Sequence, residues 1–160
     1  MKIEGKTIYL KTLDQNNATE EYCSWLNDSE VNQYLETKKA TIDQLKSYIE
    51  KNNENQSCLF FGIFFKENQK HIGNIKLEPI DFEKHKATIG ILIGDKDYWG
   101  RGIGTEAITL LVDYGFNNLK LEEIDLGVIS ENKAAIRVYE KVGFKIKEKF
   151  PDKILMSIKN

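Results

Sequence analysis

The chain has 160 residues, of which 30% are charged and 41% hydrophobic, and its formal net charge at pH 7 is −2. This length suits one domain with its own hydrophobic core, and the balanced charge gives no reason to expect nucleic acid or an anionic membrane as a partner. Two cysteines and two histidines, all far apart in sequence, are too few for a zinc site, and we expect no metal.

The first part of the chain predicts a strand followed by helices. Residues 3–13 alternate loosely between apolar and polar side chains and predict a strand, residues 18–26 predict a helix, and residues 28–35 predict a second short helix. Thr41 and Gln44 have the spacing of a capping box, in which each side chain pairs with the other residue's backbone amide. The helix after them carries its apolar side chains on one face, namely Leu45, Tyr48 and Ile49.

The rest of the chain predicts a sheet interrupted by two helices. A helix from Thr105 would bury Ile108, Leu111, Val112 and Phe116, and a helix over residues 132–142 would end at Gly143. The predicted strands cover residues 58–66, 71–80, 87–94, 123–129, 144–150 and 154–158. This order predicts a single α/β (α+β) domain over residues 1–160, with a central mixed, mostly antiparallel sheet of about six to seven strands flanked by about four helices.

A glycine-rich loop precedes the helix that begins near Thr105. Gly100, Gly102 and Gly104 let the backbone bend tightly and approach a ligand closely, because they carry no Cβ. Their amides stand at a helix start, where unpaired N–H groups and the helix dipole attract anions. The loop therefore predicts a site for a phosphate-bearing ligand, and a structural turn without a ligand is the alternative.

Two other phosphate loops fit this segment poorly. A Walker loop needs a lysine after its glycines, and none follows here. The string Gly102-x-Gly104-x-x-Ala107 fits a dinucleotide fingerprint, but residues 95–99 separate it from the strand end. The chain beyond Gly102 is also too short for the usual parallel sheet, so a dinucleotide oxidoreductase is disfavoured.

The loop and a second motif resemble the GCN5-related N-acetyltransferase (GNAT) family, in the branch of ribosomal-protein-alanine and spermidine acetyltransferases. The family's pyrophosphate loop reads Gln/Arg-x-x-Gly-x-Gly/Ala, so Gly102 and Gly104 match its last two fixed positions and Trp99 stands where Gln or Arg is usual. Residues 132–144, NKAAIRVYEKVGF, are similar to the family's Asn-x-x-Ala-x-x-x-Tyr-x-x-x-Gly-Phe signature. The resemblance covers residues 58–150 by motif and the first 57 by element order alone.

The resemblance implies that the loop binds acetyl-coenzyme A (acetyl-CoA), the acetyl donor. Backbone amides of the loop would hold the diphosphate, and the backbone at the end of the preceding strand would pair with the pantetheine arm. The side chain of Arg101 could add a charged contact or be structural. The implied coenzyme-binding residues are Ile91, Leu92, Ile93, Trp99, Gly100, Arg101, Gly102, Ile103, Gly104, Thr105, Asn132 and Ala135.

Asn132 and Tyr139 are two helical turns apart and share a helix face. The family implies that Asn132 contacts the coenzyme, although an asparagine at a helix start could simply cap it. The resemblance also implies that the Tyr139 phenol is the general acid that protonates the leaving thiolate, and a core tyrosine is the structural alternative. The general base stays open, because residues 87–90 lack the glutamate of several relatives. The candidates are Glu78, Asp81, Glu30, His85 and a water.

We predict an N-acetyltransferase that moves an acetyl group from acetyl-CoA to a primary amine of a small molecule, either an amino-sugar nucleotide or a polyamine. A protein N-terminus of ribosomal type and a non-catalytic acyl-CoA-binding module are the alternatives. Residues 22–48 should form the acceptor wall, where acidic side chains would suit a cationic amine. The wall residues of interest are Asp28, Glu30, Tyr34, Glu36 and Asp43.

The expected partner is a small-molecule amine, with neither nucleic acid nor membrane involved, and a homodimer is left open. The sequence has no run of 18 apolar residues and no apolar leader segment, and we therefore expect a cytoplasmic location.

Overall fold

A computed structural model of the chain describes residues 1–35 and 39–160. Its strands are β1 (Lys2–Glu4), β2 (Ile8–Thr12), β3 (Leu59–Phe65), β4 (Lys70–Asp81), β5 (Lys86–Ile93), β6 (Glu123–Ile129), β7 (Lys145–Lys149) and β8 (Lys153–Lys159). Its helices are α1 (Glu20–Asn27), α2 (Ile42–Glu54), α3 (Ile103–Asn117) and α4 (Lys133–Val142). The predicted α/β class and the four helices are confirmed, and the sheet has eight strands rather than six or seven.

The sheet has the strand order β1-β2-β3-β4-β5-β6-β8-β7, and its pairs are antiparallel except for β5 and β6. These two strands pair in parallel over three positions only, ending at Thr88 opposite Asp125. Beyond that point β5 continues to Ile93 with β4 as its partner on one side. Because the two strands separate, backbone N–H and C=O groups of β5 face an opening on the other side.

The two faces of the sheet pack on different helices. Core residues of α3, such as Ile108 and Leu111, pack with the side chains that alternate inward from the strands, among them Ala87 and Ile89 of β5. On the opposite face α1 and α2 cover a second cluster that includes Trp25 and Ile49. The period of two along β5 therefore sends its neighbouring side chains to different layers, and Leu92 packs against the second cluster.

Local signals in the sequence explain several element ends. Thr41 Oγ1 accepts the Gln44 amide at 3.2 Å and the Gln44 side chain accepts the Thr41 amide at 3.0 Å, which confirms the capping box. Gly143 has φ of +123° at the end of α4, a backbone conformation that disfavours residues with a Cβ.

Two predicted elements differ from those observed. Residues 3–13 form the hairpin β1–β2 instead of one strand, because the chain reverses near Gly5, where a Cβ would overlap Glu106. The helix predicted over residues 28–35 is wrong, since this segment is a series of turns. Asp28 stops α1 there, because its carboxylate accepts the Glu30 amide at 2.9 Å and offers the backbone an alternative to the helix.

Within residues 1–35 and 39–160, no helix is both long and apolar enough to cross a membrane.

Candidate active site

Two cavities meet at the end of β5. The first, which we call the loop cleft, has a volume of about 420 Å³ and is lined by the end of β5, the glycine loop, the start of α3 and one face of α4. The second, the helix cavity, has a volume of about 620 Å³ and lies between α1, α2 and strands β4 and β5. Both are lined by four of the same residues, namely Tyr34, Leu35, Ile91 and Leu92. The two cavities are therefore adjacent at the end of β5.

The glycine loop is fixed at its beginning by side-chain contacts. Buried Asp95 accepts the Asp97 amide at 3.0 Å and forms an ion pair with Lys70 at 2.8 Å, which stabilises a short 3-10 turn. Gly94 just before it lies directly under the ring of Trp25, and any side chain there would overlap that ring. The loop is thus anchored to β4 and α1 before it reaches Gly100.

The second half of the loop places the first amides of α3 on the loop cleft. Gly100 and Gly102 have φ of +71° and +78°, in the left-handed region that favours glycine. Gly102 is the N-cap residue of α3 and has no side chain to cap the helix. The first-turn N–H groups at Ile103, Gly104 and Thr105 have no intrahelical partner, and all three residues line the loop cleft. This is a cradle for an anion that a side chain does not fill.

Trp99 and Arg101 take different positions around this cradle. The indole Nε1 of Trp99 donates to the Ile93 carbonyl at 2.8 Å and holds the loop against the end of β5. Arg101 lies with its guanidinium carbon 5.0 Å from the centre of the Phe65 ring and 4.9 Å from that of Tyr98. Trp99 lines the loop cleft, whereas Arg101 stacks on these rings, as in the structural alternative for its side chain.

The signature helix α4 closes the loop cleft opposite the loop. Asn132 is the N-cap residue of α4, where its Oδ1 accepts the Ala135 amide at 3.3 Å. Asn132, Ala135 and Tyr139 all line the loop cleft, so the structure brings the two sequence motifs together. The Asn132 oxygen is used for capping, while its NH₂ group is a donor. Tyr139 packs edge-on against Phe144, and burial raises the pKa of its phenol.

Of the twelve residues expected to bind the coenzyme, eleven line the loop cleft and Arg101 does not. The candidate bases are dispersed. Glu30 is exposed and pairs with Lys96 at 3.3 Å, and Asp81 accepts two amides of its own turn. His85 is exposed in the β4–β5 turn, and Glu78 forms an ion pair with Lys76 at 3.0 Å.

The helix cavity has a polar floor that the sequence pattern did not single out. Asn74 and Lys76 of β4 lie opposite Leu92 and Gly90 of β5, so their side chains share the face that α1 and α2 cover. A Cβ built on Gly90 would meet no atom within 4 Å, and the floor is therefore open at that position. The alternation of β4 was the available signal, because Asn74 and Lys76 are polar residues among buried isoleucine and leucine neighbours.

The expected acidic wall is only partly described. Asp28 and Glu30 pair with Lys96, and Glu30 lines the loop cleft rather than the helix cavity. Asp43 is exposed in the first turn of α2, and Glu36 lies outside the described residues. Tyr34 does line both cavities.

Among the described residues, no group of three or more His, Cys, Asp or Glu side chains could hold a metal ion.

Comparison with known proteins gives one family. Residues 8–145 match the family model described as "Acetyltransferase (GNAT) domain". The chain is 33% identical over 154 residues to the probable N-acetyltransferase YjcK of Bacillus subtilis (strain 168), an alignment that covers 89% of this chain and 82% of YjcK.

Solved structures share the whole fold at lower identity. The acetyltransferase (GNAT family) from Bacillus anthracis superposes with a TM-score of 0.85 at 22% identity, covering 99% of this chain and 98% of the other. Spermidine N-acetyltransferase from Vibrio cholerae, solved in complex with CoA and spermine, has a TM-score of 0.83 at 24% identity, covering 96% of this chain and 95% of the other.

Proposed function

The chain belongs to the GNAT acetyltransferase family and is an acetyl-CoA-dependent N-acetyltransferase, and we propose that it acetylates a primary amine of a small molecule where the loop cleft meets the helix cavity. The observation that carries the proposal is the shared lining of the two cavities at Ile91 and Leu92. One cavity offers an anion cradle and the other a polar floor, and the two open onto the same stretch of β5.

The loop cleft fits acetyl-CoA. Acetyl-CoA supplies an acetyl group that is activated as a thioester. The amides of Ile103, Gly104 and Thr105 would hold its diphosphate, because they are unpaired donors at the positive end of α3. Backbone groups of Ile91 to Ile93 that face the opening would pair with the pantetheine arm, apart from the Ile93 carbonyl, which accepts from Trp99. The Asn132 NH₂ group and Ala135 would contact the arm from α4. We also assign to the coenzyme site Trp99 and the backbone of Gly100, Arg101 and Gly102.

Tyr139 would act as the general acid. Its phenol lines the loop cleft on the same face of α4 as Asn132, and burial raises its pKa, so the hydroxyl keeps its proton at neutral pH. From there Tyr139 Oη would donate a proton to the departing sulfur, which avoids the release of a free thiolate. The backbone donors hold the reacting groups in one orientation and restrict their rotation. This lowers the barrier to acetyl transfer further.

The incoming amine must lose a proton, and the three candidate carboxylates already have other partners. Asp81 accepts a backbone amide of its own turn, Glu78 is paired with Lys76, and Glu30 is paired with Lys96. We therefore propose that the amine enters neutral or gives its proton to a water. We also propose a cytoplasmic location, with which the free thiols of Cys23 and Cys58 are consistent.

A thiol-release assay tests the proposal. The protein is mixed with acetyl-CoA and a panel of amines that contains amino sugars, amino acids, polyamines and a peptide with an alanine or serine N-terminus. We expect free thiol to appear with at least one small amine. Thiol release with the peptide alone would favour a protein N-terminal acetyltransferase. Tight binding of acetyl-CoA without thiol release from any amine would overturn the proposal in favour of a non-catalytic acyl-CoA-binding module.

A further inference from the structure

The charge of the helix cavity bears on the class of the acceptor. Its described lining contains two cationic side chains, Lys39 and Lys76, and neither Asp nor Glu. Two carboxylates on elements around the cavity have cationic partners, since Glu78 pairs with Lys76 and Asp28 pairs with Lys96 at 2.8 Å. A polyamine bears several ammonium groups, and a cavity with this lining would place like charges together.

Lys76 is oriented toward the cavity and keeps a free donor. Its Nζ donates to the Tyr48 hydroxyl at 3.1 Å and to Glu78 Oε1 at 3.0 Å. An ammonium has three N–H groups, so one remains for a ligand. Burial would lower the pKa of Lys76, but its contacts with Tyr48 and Glu78 outweigh burial and raise the pKa, so the side chain stays charged. Glu78 is itself held on its outer side, where Oε2 accepts from Asn55 at 3.0 Å.

The buried groups beneath Lys76 are also arranged as donors. His71 Nε2 lies 2.8 Å from Asn74 Oδ1, and since that oxygen only accepts, Nε2 carries the proton. Burial lowers the pKa of His71, so the ring is neutral. Its hydrogen bond fixes the orientation of the Asn74 side-chain amide. With its oxygen bound to His71, the Asn74 side chain has its NH₂ group left as a donor, and Asn74 lines the helix cavity.

Tyr22 adds a hydroxyl to the same lining. Burial raises the pKa of its phenol, so the hydroxyl is neutral and its O–H can donate. Both Tyr22 and Asn74 line the helix cavity. The floor therefore presents N–H and O–H donors from three residues to whatever occupies the cavity. A carboxylate or phosphate is the complementary group, because it only accepts.

We propose that the acceptor amine carries an anionic group, a carboxylate or a phosphate, which binds Lys76 and the donors of Asn74 and Tyr22 in the helix cavity. Lys39, an exposed residue that lines the same cavity, adds positive charge. The open space above Gly90 leaves room between this group and the end of the loop cleft, where the amine reacts. The inference rests on the proposed function and narrows its acceptor from small amines to anionic ones.

Matched amines test the proposal directly. Glucosamine 6-phosphate is compared with glucosamine, 4-aminobutyrate with butylamine, and spermidine serves as the polycation, all with acetyl-CoA and thiol release as the readout. We expect kcat/KM to be about tenfold or more higher for the anionic member of at least one pair, the strength of a charge-assisted hydrogen bond. The first pair reports on a phosphate and the second on a carboxylate.

Lys76→Met tests the residue. The substitution should lower kcat/KM for the preferred anionic amine by about tenfold to a hundredfold and leave the uncharged partner within about threefold. The KM for acetyl-CoA should not change. Because Lys76→Met leaves Glu78 without its cation, the double variant Lys76→Met/Glu78→Gln removes that complication and should show the same loss. Lys84→Met is the matched control, since Lys84 is exposed in the β4–β5 turn and lines neither cavity.

The outcomes separate this inference from the proposed function. Thiol release that is faster with spermidine or with the uncharged partner of each pair would overturn the anionic acceptor and leave amine acetylation intact. An anion preference that survives Lys76→Met would overturn the role of Lys76. No thiol release from any amine, with acetyl-CoA bound, would overturn the proposed function and this inference with it.

Discussion

The loop cleft and the helix cavity meet at Ile91 and Leu92, yet they are lined by different kinds of group. The loop cleft offers backbone amides at the start of α3 and unpaired backbone groups of β5. The helix cavity offers side chains, above all Lys76 of β4 and Tyr22 of α1, which come from distant parts of the chain. We infer that the two halves of the active site follow different rules of construction.

This difference has a consequence for specificity. A backbone site depends on glycines and on helix geometry, so few substitutions preserve it. A side-chain site can change its charge by one substitution while the fold stays the same. One scaffold can thus hold the same acetyl donor and accept different amines. We therefore expect that each half of the site can be damaged without damage to the other.

The largest expected effect is that of Tyr139→Phe, which removes one hydroxyl from the loop cleft. We expect kcat to fall by about a hundredfold to a thousandfold, the range for loss of a positioned general acid, with an unchanged Kd for acetyl-CoA. Steady-state kinetics and calorimetry measure the two quantities. Tyr114→Phe on α3 is the control, because Tyr114 lines neither cavity. An unaltered kcat in Tyr139→Phe would remove this residue from the mechanism.

Gly104→Val should damage the coenzyme half alone. A Cβ at Gly104 would meet Val138 at an ordinary distance of 3.7 Å, so the fold should tolerate it. The branched side chain would instead cover the first amides of α3 on the loop cleft. We expect the Kd for acetyl-CoA to rise by about tenfold to a hundredfold, as charge-assisted hydrogen bonds are lost. Equal affinity in the variant, measured by calorimetry, would speak against these amides as the diphosphate site.

Gly90→Val is the matched substitution in the acceptor half. Nothing lies within 4 Å of a Cβ at this position, and valine suits a strand, so the variant should fold. Its side chain would occupy the space above the floor of the helix cavity. We expect kcat/KM for the acceptor to fall by about tenfold, with little change in the Kd for acetyl-CoA. If Gly90→Val and Gly104→Val impair the same step, the acceptor half and the coenzyme half cannot be damaged separately, and this prediction is wrong.

Glu106→Gln should have the smallest effect on transfer, because it acts on the scaffold behind the loop cleft. The Glu106 carboxylate accepts the amides of Lys6, Thr7 and Ile8 at 2.8, 3.0 and 3.2 Å, and it also accepts the Thr7 hydroxyl. These bonds tie the β1–β2 hairpin to the first turn of α3. Burial would raise the pKa of Glu106, but the hydrogen bonds outweigh it and the pKa is lowered.

The sign of the pH effect follows from that lowered pKa. A carboxyl group whose folded-state pKa is depressed stabilises the fold above its unfolded-state pKa and loses this contribution as the pH falls through the folded-state value. We expect Glu106→Gln to cost about 1–3 kcal/mol of unfolding free energy at pH 7 and progressively less below about pH 4.5. Thermal unfolding from pH 7 to pH 3 measures it, with exposed Glu148→Gln as control. A cost that is independent of pH would contradict the assigned role of the carboxylate.

The loop cleft was the more predictable half for a physical reason. Its glycines, its N-cap position and the Asn132–Tyr139 spacing are local features, and each can be recognised within a few turns of backbone. The capping box of α2 and the bounds of β6 were predictable for the same reason.

The polar floor of the helix cavity could not be assembled from the sequence, because it depends on which strands lie side by side. Lys76 and Gly90 are opposite each other only through the β4–β5 register, and Tyr22 joins them from a helix far away in sequence. The helix predicted over residues 28–35 is wrong for a different reason, which is local. The Asp28 carboxylate accepts the Glu30 amide in an Asx turn, and this turn competes with the helix that the apolar pattern predicts. The apolar pattern alone does not decide between the two.

A crystal structure of the protein with coenzyme A would show where the diphosphate binds. We expect diphosphate oxygens within hydrogen-bond distance of the amides of Ile103, Gly104 and Thr105, with the pantetheine arm alongside Ile91 to Ile93. A diphosphate bound away from the start of α3, with these amides facing only solvent or protein, would contradict it.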